Sequence, residues 1–309
     1  MSDRPPLSQQ VILITGASVG IGAALAGLLA RRFPGVRLAL AARRADRLEQ
    51  VAESCRQLGA EVFVKPTDVA IPSQVTDLSK SVIDRWGRVD ALVNNAGYGQ
   101  MGPIELMPPS AAEEQFAVNF HAPLILTHHL IPVMRESGGG RIVNVSSLGG
   151  RMAFPGAGLY SASKFALEAF SDVARMELKG FNIQVSVVEP GPVVTEFFQA
   201  AWQKVLETVP DPEKSIYRPV FEKIEGIDRQ LAILGWTPDR VAEVIIRPLV
   251  ARHPRPRYYA ATGGAFFVPM MTKFMPTWFT DAFWKRIYGI DLVEKEWGDG
   301  EMGRWEKSG

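Results

Sequence analysis

Tyr160 and Lys164 stand four residues apart in the run Tyr160-Ser161-Ala162-Ser163-Lys164, and four residues is one turn of a helix. On one helical face the ammonium lies beside the phenol and favours its ionised form. That would turn a group titrating at about 10 in water into an acid-base catalyst for neutral pH. Ser146 and Ser147 follow Val145 at the end of a strand pattern, and parallel sheets bind their ligands at the carboxyl ends of strands. Either hydroxyl could hydrogen-bond an oxygen that gathers charge. Far upstream, Thr15-Gly16-Ala17-Ser18-Val19-Gly20-Ile21-Gly22 spaces three glycines as G-x-x-x-G-x-G. After a strand and before a helix, such glycines let the backbone turn sharply, approach a pyrophosphate and aim amide hydrogens at it.

Bringing these segments together requires a particular scaffold. Val11-Ile12-Leu13-Ile14 is a short apolar run ending at glycines, the pattern of a strand buried on both faces. Helical spacing over Ile21 to Arg32 and a second buried-strand pattern over Val36 to Ala42 complete a β-α-β unit. The alternation continues with a helix over Ala45 to Leu58, a strand over Glu61 to Thr67, a helix over Ser73 to Trp86 and a strand over Ala91 to Asn94. A long helix over Ala111 to Arg135, a strand over Arg141 to Ser146, the Tyr160 helix to Lys179 and a strand over Gln184 to Glu189 follow. A helix over Pro238 to Ala251 precedes a weaker seventh strand at Arg257 to Ala261. Strands separated by helices pair in parallel through right-handed crossovers. The expectation is one doubly wound α/β domain of Rossmann type with a mostly parallel seven-stranded sheet. The mixed stretch Thr195 to Trp236 interrupts the alternation and reads as a lid over the carboxyl edge of the strands. The domain is expected at residues 1–262, with the lid at 195–236 and an aromatic-rich C-terminal extension at 263–309.

Composition narrows the function. With 309 residues, 47% of them hydrophobic, the chain can bury a substantial core. Lys plus Arg, 34, nearly cancel Asp plus Glu, 33, which leaves no basic field for nucleic acid and no acidic excess for a disordered tail. Small molecules are the expected partners. Cys55 is the only cysteine, so no intrachain disulfide or cysteine metal cluster is possible, and its amphipathic setting suits helix packing. His128 and His129 project in different directions and, with His121 and His253, lack carboxylate or cysteine companions, so no metal is expected. The polar start, Met1 to Gln10, is unlike a secretory signal, and no apolar run approaches the roughly 20 residues that span a bilayer. A cytoplasmic protein is the expectation. After Ala41-Ala42 come Arg43 and Arg44, where an acidic residue would bind a ribose 2'-hydroxyl in an NAD-type arrangement. The reversed charge suits a 2'-phosphate, so NADP(H) is expected over NAD(H).

Taken in order, the glycine turn, Asp68-Val69, Asn94-Asn95-Ala96-Gly97, Asn119, the Ser147 region, Tyr160-x-x-x-Lys164 and Pro190-Gly191 resemble the classical short-chain dehydrogenase/reductase family. The resemblance runs from Val11 to Thr195 without a departure in the catalytic set. It implies Asn119, Ser147, Tyr160 and Lys164 as the catalytic residues, with Ser147 chosen over Ser146 because the family's serine lies thirteen residues before its tyrosine. It implies that Lys164 also holds the nicotinamide ribose and depresses the tyrosine pKa, while Asn119 supports a water relaying protons to Lys164. It assigns to the cofactor Gly16, Ser18, Val19, Gly20, Ile21 and Gly22 of the turn, Arg43 and Arg44, and Asp68 and Val69 at the adenine. Asn95, Ala96 and Gly97 would lie beside the ribose, with Pro190, Gly191, Val193 and Thr195 against the nicotinamide. Read alone, Asp68 could be a helix-capping or turn residue, and Asn95 to Gly97 an ordinary turn.

The surroundings of Ser147, Tyr160 and Glu189 look most like the branch holding 17-beta-hydroxysteroid and retinol dehydrogenases. A site roof of Met152, Phe154, Phe197, Phe198 and Trp202 would suit an apolar alcohol, ketone or aldehyde, although each could equally pack in the core. The tail, Ala265 to Tyr288, carries Phe266, Phe267, Phe274, Trp278, Phe279, Phe283, Trp284 and Tyr288. It could pack on the domain or a sister subunit of a homo-dimer or homo-tetramer, close the pocket, or rest on a membrane surface with Lys273, Lys285 and Arg286 at the headgroups. The expected function is an NADP(H)-dependent alcohol dehydrogenase or carbonyl reductase. Its rivals are a dehydratase or epimerase on the same fold, and a non-catalytic NADP(H) sensor or scaffold.

Overall fold

A computed structural model describes residues 5–305, without the side chains of 227–234 and 299–305. Seven strands form one sheet in the order β3-β2-β1-β4-β5-β6-β7, every neighbouring pair parallel. They are β1 (Val11–Thr15), β2 (Arg37–Ala42), β3 (Glu61–Pro66), β4 (Ala91–Asn94), β5 (Gly140–Val145), β6 (Ile183–Pro190) and β7 (Arg257–Ala260). All five residues of β1, all four of β4 and all six of β5 are buried, as expected of central strands covered on both faces.

Helices supply the two covers. Helix α1 (Gly20–Arg32) and α2 (Ala45–Gln57) lie on one face, where Leu25, Leu29 and Leu48 pack with Ile12, Ile14 and Leu40. Cys55 is buried in this layer, as its helical setting suggests, and burial pushes its thiol up to about 11. Helix α3 (Pro72–Trp86) covers the other face, where Val75 and Leu78 meet Leu13 and Leu92. The long helix read over Ala111 to Arg135 is divided into α4 (Pro109–Phe116), a π-turn at Ala117–His121 and α5 (Ala122–Glu136). Helix α6 (Gly158–Glu177) carries Tyr160 and Lys164.

The strand order reverses between β1 and β4, and the crevice at such a reversal is where doubly wound sheets bind ligands. Over it stands the interruption read at Thr195 to Trp236, made of α7 (Phe197–Thr208) and α8 (Arg218–Leu234). Its two ends meet, for Val194 N donates to Trp236 O at 2.9 Å and Trp236 N to Pro192 O at 3.0 Å. The insertion is therefore a flap that leaves and rejoins the domain at one place, and side-chain contacts such as Gln100 to Thr208 and Tyr217 to Glu105 hold its body down. Helix α9 (Pro238–Val250) returns the chain to the first face, packing Val241 and Ile245 into the α1 layer before β7.

The extension comprises α10 (Gly264–Pro269), a π-turn at Met270–Phe274, α11 (Thr277–Ile287) and α12 (Ile290–Trp305). Val268 and Met271 are buried against Met152, with Phe267, Phe283 and Trp284 packed around them. The outer face leaves Phe266, Phe274 and Trp278 exposed at 74%, 76% and 72%. Among the described residues no helix is long and apolar enough to cross a membrane.

Candidate active site

The glycine turn owes its shape to contacts no larger residue could make. Gly16 and Gly20 have φ of +66° and +56°, in the left-handed region where glycine is favoured. A Cβ on Gly22 would stand 2.2 Å from Gly16 O, so α1 can begin this close to β1 only with hydrogen there. Val19 caps α1 in extended conformation, and Ile21 reaches the cavity described below. The helix N-terminus and its free amides make this turn fit for a phosphate-bearing group. Thr15, which the sequence reading passed over, locks the turn to β4: its Oγ1 accepts from Asn95 N and Ala96 N, both at 3.0 Å. Asn95 Nδ2 donates to Thr15 O at 2.9 Å and Gly16 O at 3.2 Å.

Around this crevice lies a cavity of about 760 Å³. Ser147, Tyr160 and Lys164 open into it with Asn95, Gly97, Pro190, Gly191, Val193 and Thr195. The five residues read as a roof, Met152, Phe154, Phe197, Phe198 and Trp202, all line it. Phe197 packs edge-on against Tyr160, with ring centroids 5.7 Å apart. The extension supplies a further wall that the sequence named only as one option, through Phe267, Trp284, Ile287 and Tyr288. Trp284 meets Phe154 at 4.6 Å between centroids, and Tyr288 stacks on the same ring at 6.0 Å.

The charged groups differ from the expectation at one point. Lys164 Nζ lies 5.9 Å from the Tyr160 ring centroid and donates to Val145 O at 2.9 Å. Burial nevertheless pushes the Tyr160 phenol up to about 12, partly offset by a hydrogen bond from Ser147. Burial also draws the Lys164 ammonium down to about 8, while the charge of Glu168 opposes the fall. Desolvation disfavours both charged forms, so the spacing rule that expected a lowered phenol is outweighed here. A protonated Tyr160 is the form able to donate. Ser147 Oγ accepts from Gly149 N at 3.0 Å, which fixes the hydroxyl at the mouth of β5. Ser146 is buried beside Gly150 and Glu168.

Asn119 sits in the π-turn, a local widening common at functional sites. Its Nδ2 donates to Tyr98 O at 3.1 Å and Ser163 Oγ at 3.0 Å, and its Oδ1 accepts from Tyr98 N at 3.2 Å. Ser163 Oγ donates in turn to Tyr160 O at 2.7 Å. Gly97 borders both groups, because a Cβ there would lie 3.2 Å from Asn119 Oδ1 and 3.4 Å from Lys164 Nζ.

At the end of β2 the two arginines part company. Arg44 pairs with Glu196 at 3.5 Å, joined by Arg47 at 2.9 Å, which ties the start of the flap to α2. Arg43 is exposed and pairs with no carboxylate among the described residues. Asp68 fills the turn role, its Oδ1 accepting from Ala70 N at 3.0 Å, and Val69 is buried in the second core layer. Ser18 is partly buried in the glycine turn. His129, half-buried, hydrogen-bonds the buried Ser79 at 2.9 Å between α3 and α5. Among the described residues no cluster of three His, Cys, Asp or Glu side chains is arranged to hold a metal ion.

The chain has clear relatives among known proteins. The family model for short chain dehydrogenases matches residues 10–206. An uncharacterized oxidoreductase of Listeria innocua is 32% identical over 241 residues, spanning 77% of this chain and 90% of that protein. A metagenomic short-chain oxidoreductase solved in complex with NADP is 29% identical, with a TM-score of 0.65, and covers 82% of this chain and 97% of its own. A short chain dehydrogenase/reductase from Burkholderia phymatum in complex with NAD is 25% identical, with a TM-score of 0.73, over 87% and 94% of the two chains.

Proposed function

Because the chain belongs to the short-chain dehydrogenase family, we propose that it is an NADP(H)-dependent oxidoreductase interconverting an apolar alcohol and its ketone or aldehyde. The observation that carries this reading is one cavity in which Ser147, Tyr160 and Lys164 face a roof of Met152, Phe154, Phe197, Phe198 and Trp202. Its volume, about 760 Å³, takes in the residues assigned below to the nicotinamide end as well as the substrate side, and the aromatic roof suits an apolar substrate of steroid, retinoid or aryl-ketone type.

The glycine cradle, whose Gly22 position a Cβ would fill, fits a dinucleotide pyrophosphate. Gly16 to Gly22 would hold it there, with Asp68 and Val69 at the adenine, Asn95 to Gly97 and Lys164 at the ribose, and Pro190 to Thr195 at the nicotinamide. When bound, the reduced nicotinamide supplies the hydride to the carbonyl carbon. Tyr160 gives its hydroxyl proton to the carbonyl oxygen, and the phenolate left behind recovers a proton from solvent through the Lys164 and Asn119 region. Ser147 donates a hydrogen bond to the same oxygen as its charge grows. Oxidation reverses each step with Tyr160 as base. The flap and the aromatic extension exclude water from the reacting atoms.

Preference for NADP(H) rests on charge. Solved neighbours carry either cofactor, so the local residues decide. Arg43, at the carboxyl end of β2 without a carboxylate partner among the described residues, suits a 2'-phosphate. Fluorescence titration with NADPH and NADH, followed by product analysis for a steroid, a retinoid and an aryl ketone, tests the reading. Tighter NADPH binding and an alcohol product support it; preference for NADH, or a dehydrated or epimerised product, refutes it.

A further inference from the structure

Glu168 stands one helical turn beyond Lys164 on α6, and both side chains are buried. Gly150 lies against that turn: a Cβ there would be 3.2 Å from Glu168 Cγ and from Lys164 Cβ. Glu168 Oε2 accepts from Arg257 Nε at 3.1 Å. The same guanidinium donates to Asp172 Oδ2 at 2.6 Å and meets Glu189 Oε1 at 3.2 Å. Glu189, on β6, is wholly buried, and neither of its oxygens has a hydrogen-bond partner. One guanidinium therefore faces three carboxylates, two of which, Glu168 and Glu189, lie where little water can screen them, while Asp172 reaches solvent.

Like charges this close in a dry setting do not all remain ionised. Burial and the charge of Glu168 push Glu189 up to about 7, against the pull of Arg151 and Arg257. Burial raises Glu168 as well, opposed by Ser146, Arg257 and Arg151. Asp172 goes the other way: burial would raise it, but hydrogen bonds from Arg257 and Arg175 hold it below the usual carboxylate range. Burial and Glu189 raise the neighbouring Tyr259 phenol. These groups, from α6, β6, β7 and the turn after β5, complete the surroundings of Glu168. Lys164 itself donates to a neutral carbonyl, Val145 O, so the charge favouring its ammonium form comes from Glu168.

We propose that Glu168 is a positioning residue for the reaction, its charge keeping Lys164 an ammonium, with Arg257 and Glu189 governing how much charge Glu168 carries. The inference rests on the role of Lys164 in the site proposed above, yet its test requires no turnover. In protein labelled at the lysine ε-carbon, NMR titration reads the midpoint of Lys164, assigned by loss of its signal in Lys164→Met. The series is wild type, Glu168→Gln, Glu168→Met and Glu168→Asp, the methionine serving as an apolar filler should the amide fold poorly. Removing the anion lowers the Lys164 midpoint in the Gln and Met variants by about one unit, a ten-fold shift of the ammonium-to-amine ratio, while Asp keeps it near the wild-type value. Lowered melting temperatures with an unmoved midpoint in whichever neutral variant folds would make Glu168 merely structural and overturn the proposal. A wild type inactive on every carbonyl would sink the functional reading and leave this titration standing.

Discussion

At the scale of single residues, the site depends on burial more than on spacing. Tyr160 and Lys164 occupy one helix face as their positions require, but the desolvation of that face holds the phenol protonated and weakens the ammonium. In the proposed reaction the protonated phenol is the form that donates in reduction, and its phenolate is the base in oxidation. In the proposed function, cofactor choice is assigned to Arg43. Replacing it, in Arg43→Ala, is expected to weaken NADPH binding by about 10- to 100-fold, the value of a charge-assisted hydrogen bond, and to leave NADH binding nearly unchanged. Equal losses for both cofactors in isothermal titration would remove Arg43 from the 2'-phosphate site. Ser147 over Ser146 was a count along the chain, and the cavity alone does not separate the two, since both line it: Ser147 is half-buried there, and Ser146 is buried beside Glu168.

At the scale of elements, the strands and the first helices were legible because each carries its own pattern. Val11 to Ile14 has the pattern of a strand buried on both faces, and Gly16 to Gly22, between that strand and a helical run, the pattern of a tight entry into a helix. The long helix read over Ala111 to Arg135 is helical throughout, and its spacing did not announce the π-turn at Ala117–His121, where Asn119 hydrogen-bonds Tyr98 and Ser163. A polar chain that no spacing reveals ties three elements under the site. Asn94 Nδ2 donates to Asn144 Oδ1 at 2.8 Å, Asn144 Nδ2 to Ser171 Oγ at 2.8 Å, and Ser171 Oγ to Leu167 O at 2.6 Å, joining β4, β5 and α6. In Asn144→Ala both neighbours lose a buried partner, and each group left unsatisfied costs about 1–3 kcal/mol. Urea denaturation should show a loss of that order, and an unchanged midpoint would mean the chain contributes nothing to holding α6.

At the scale of the whole molecule, the sheet order brings residues far apart in sequence to one crevice, and the flap and extension enclose it. The roof residues were named from the sequence, but whether they faced a cavity or the core could not be read from one-dimensional order. The wall from Trp284 and Tyr288 depends on how the tail folds back onto Phe154, a contact made across more than a hundred residues of chain. The buried acid pair has a consequence for global stability. Glu189 titrates at about 7 when folded against an ordinary 4.5, so the native state binds the proton more tightly than the unfolded chain. Its contribution is fully present below the unfolded value and is lost as pH rises through the window up to about 7. Denaturation midpoints should therefore fall between about pH 5 and 7, and Glu189→Gln should flatten that slope; an equal slope in the variant would assign the dependence to other groups. The central claim, that Tyr160 is the acid of a carbonyl-reducing site, is tested most directly by following reduced-nicotinamide absorbance with NADPH and a panel of apolar ketones and aldehydes, in wild type and Tyr160→Phe. Wild-type turnover that falls in the variant by about 100- to 10,000-fold, with NADPH binding retained, is the expected result. A variant that turns over as fast as wild type, or a wild type that binds NADPH and reduces none of the panel, would contradict it.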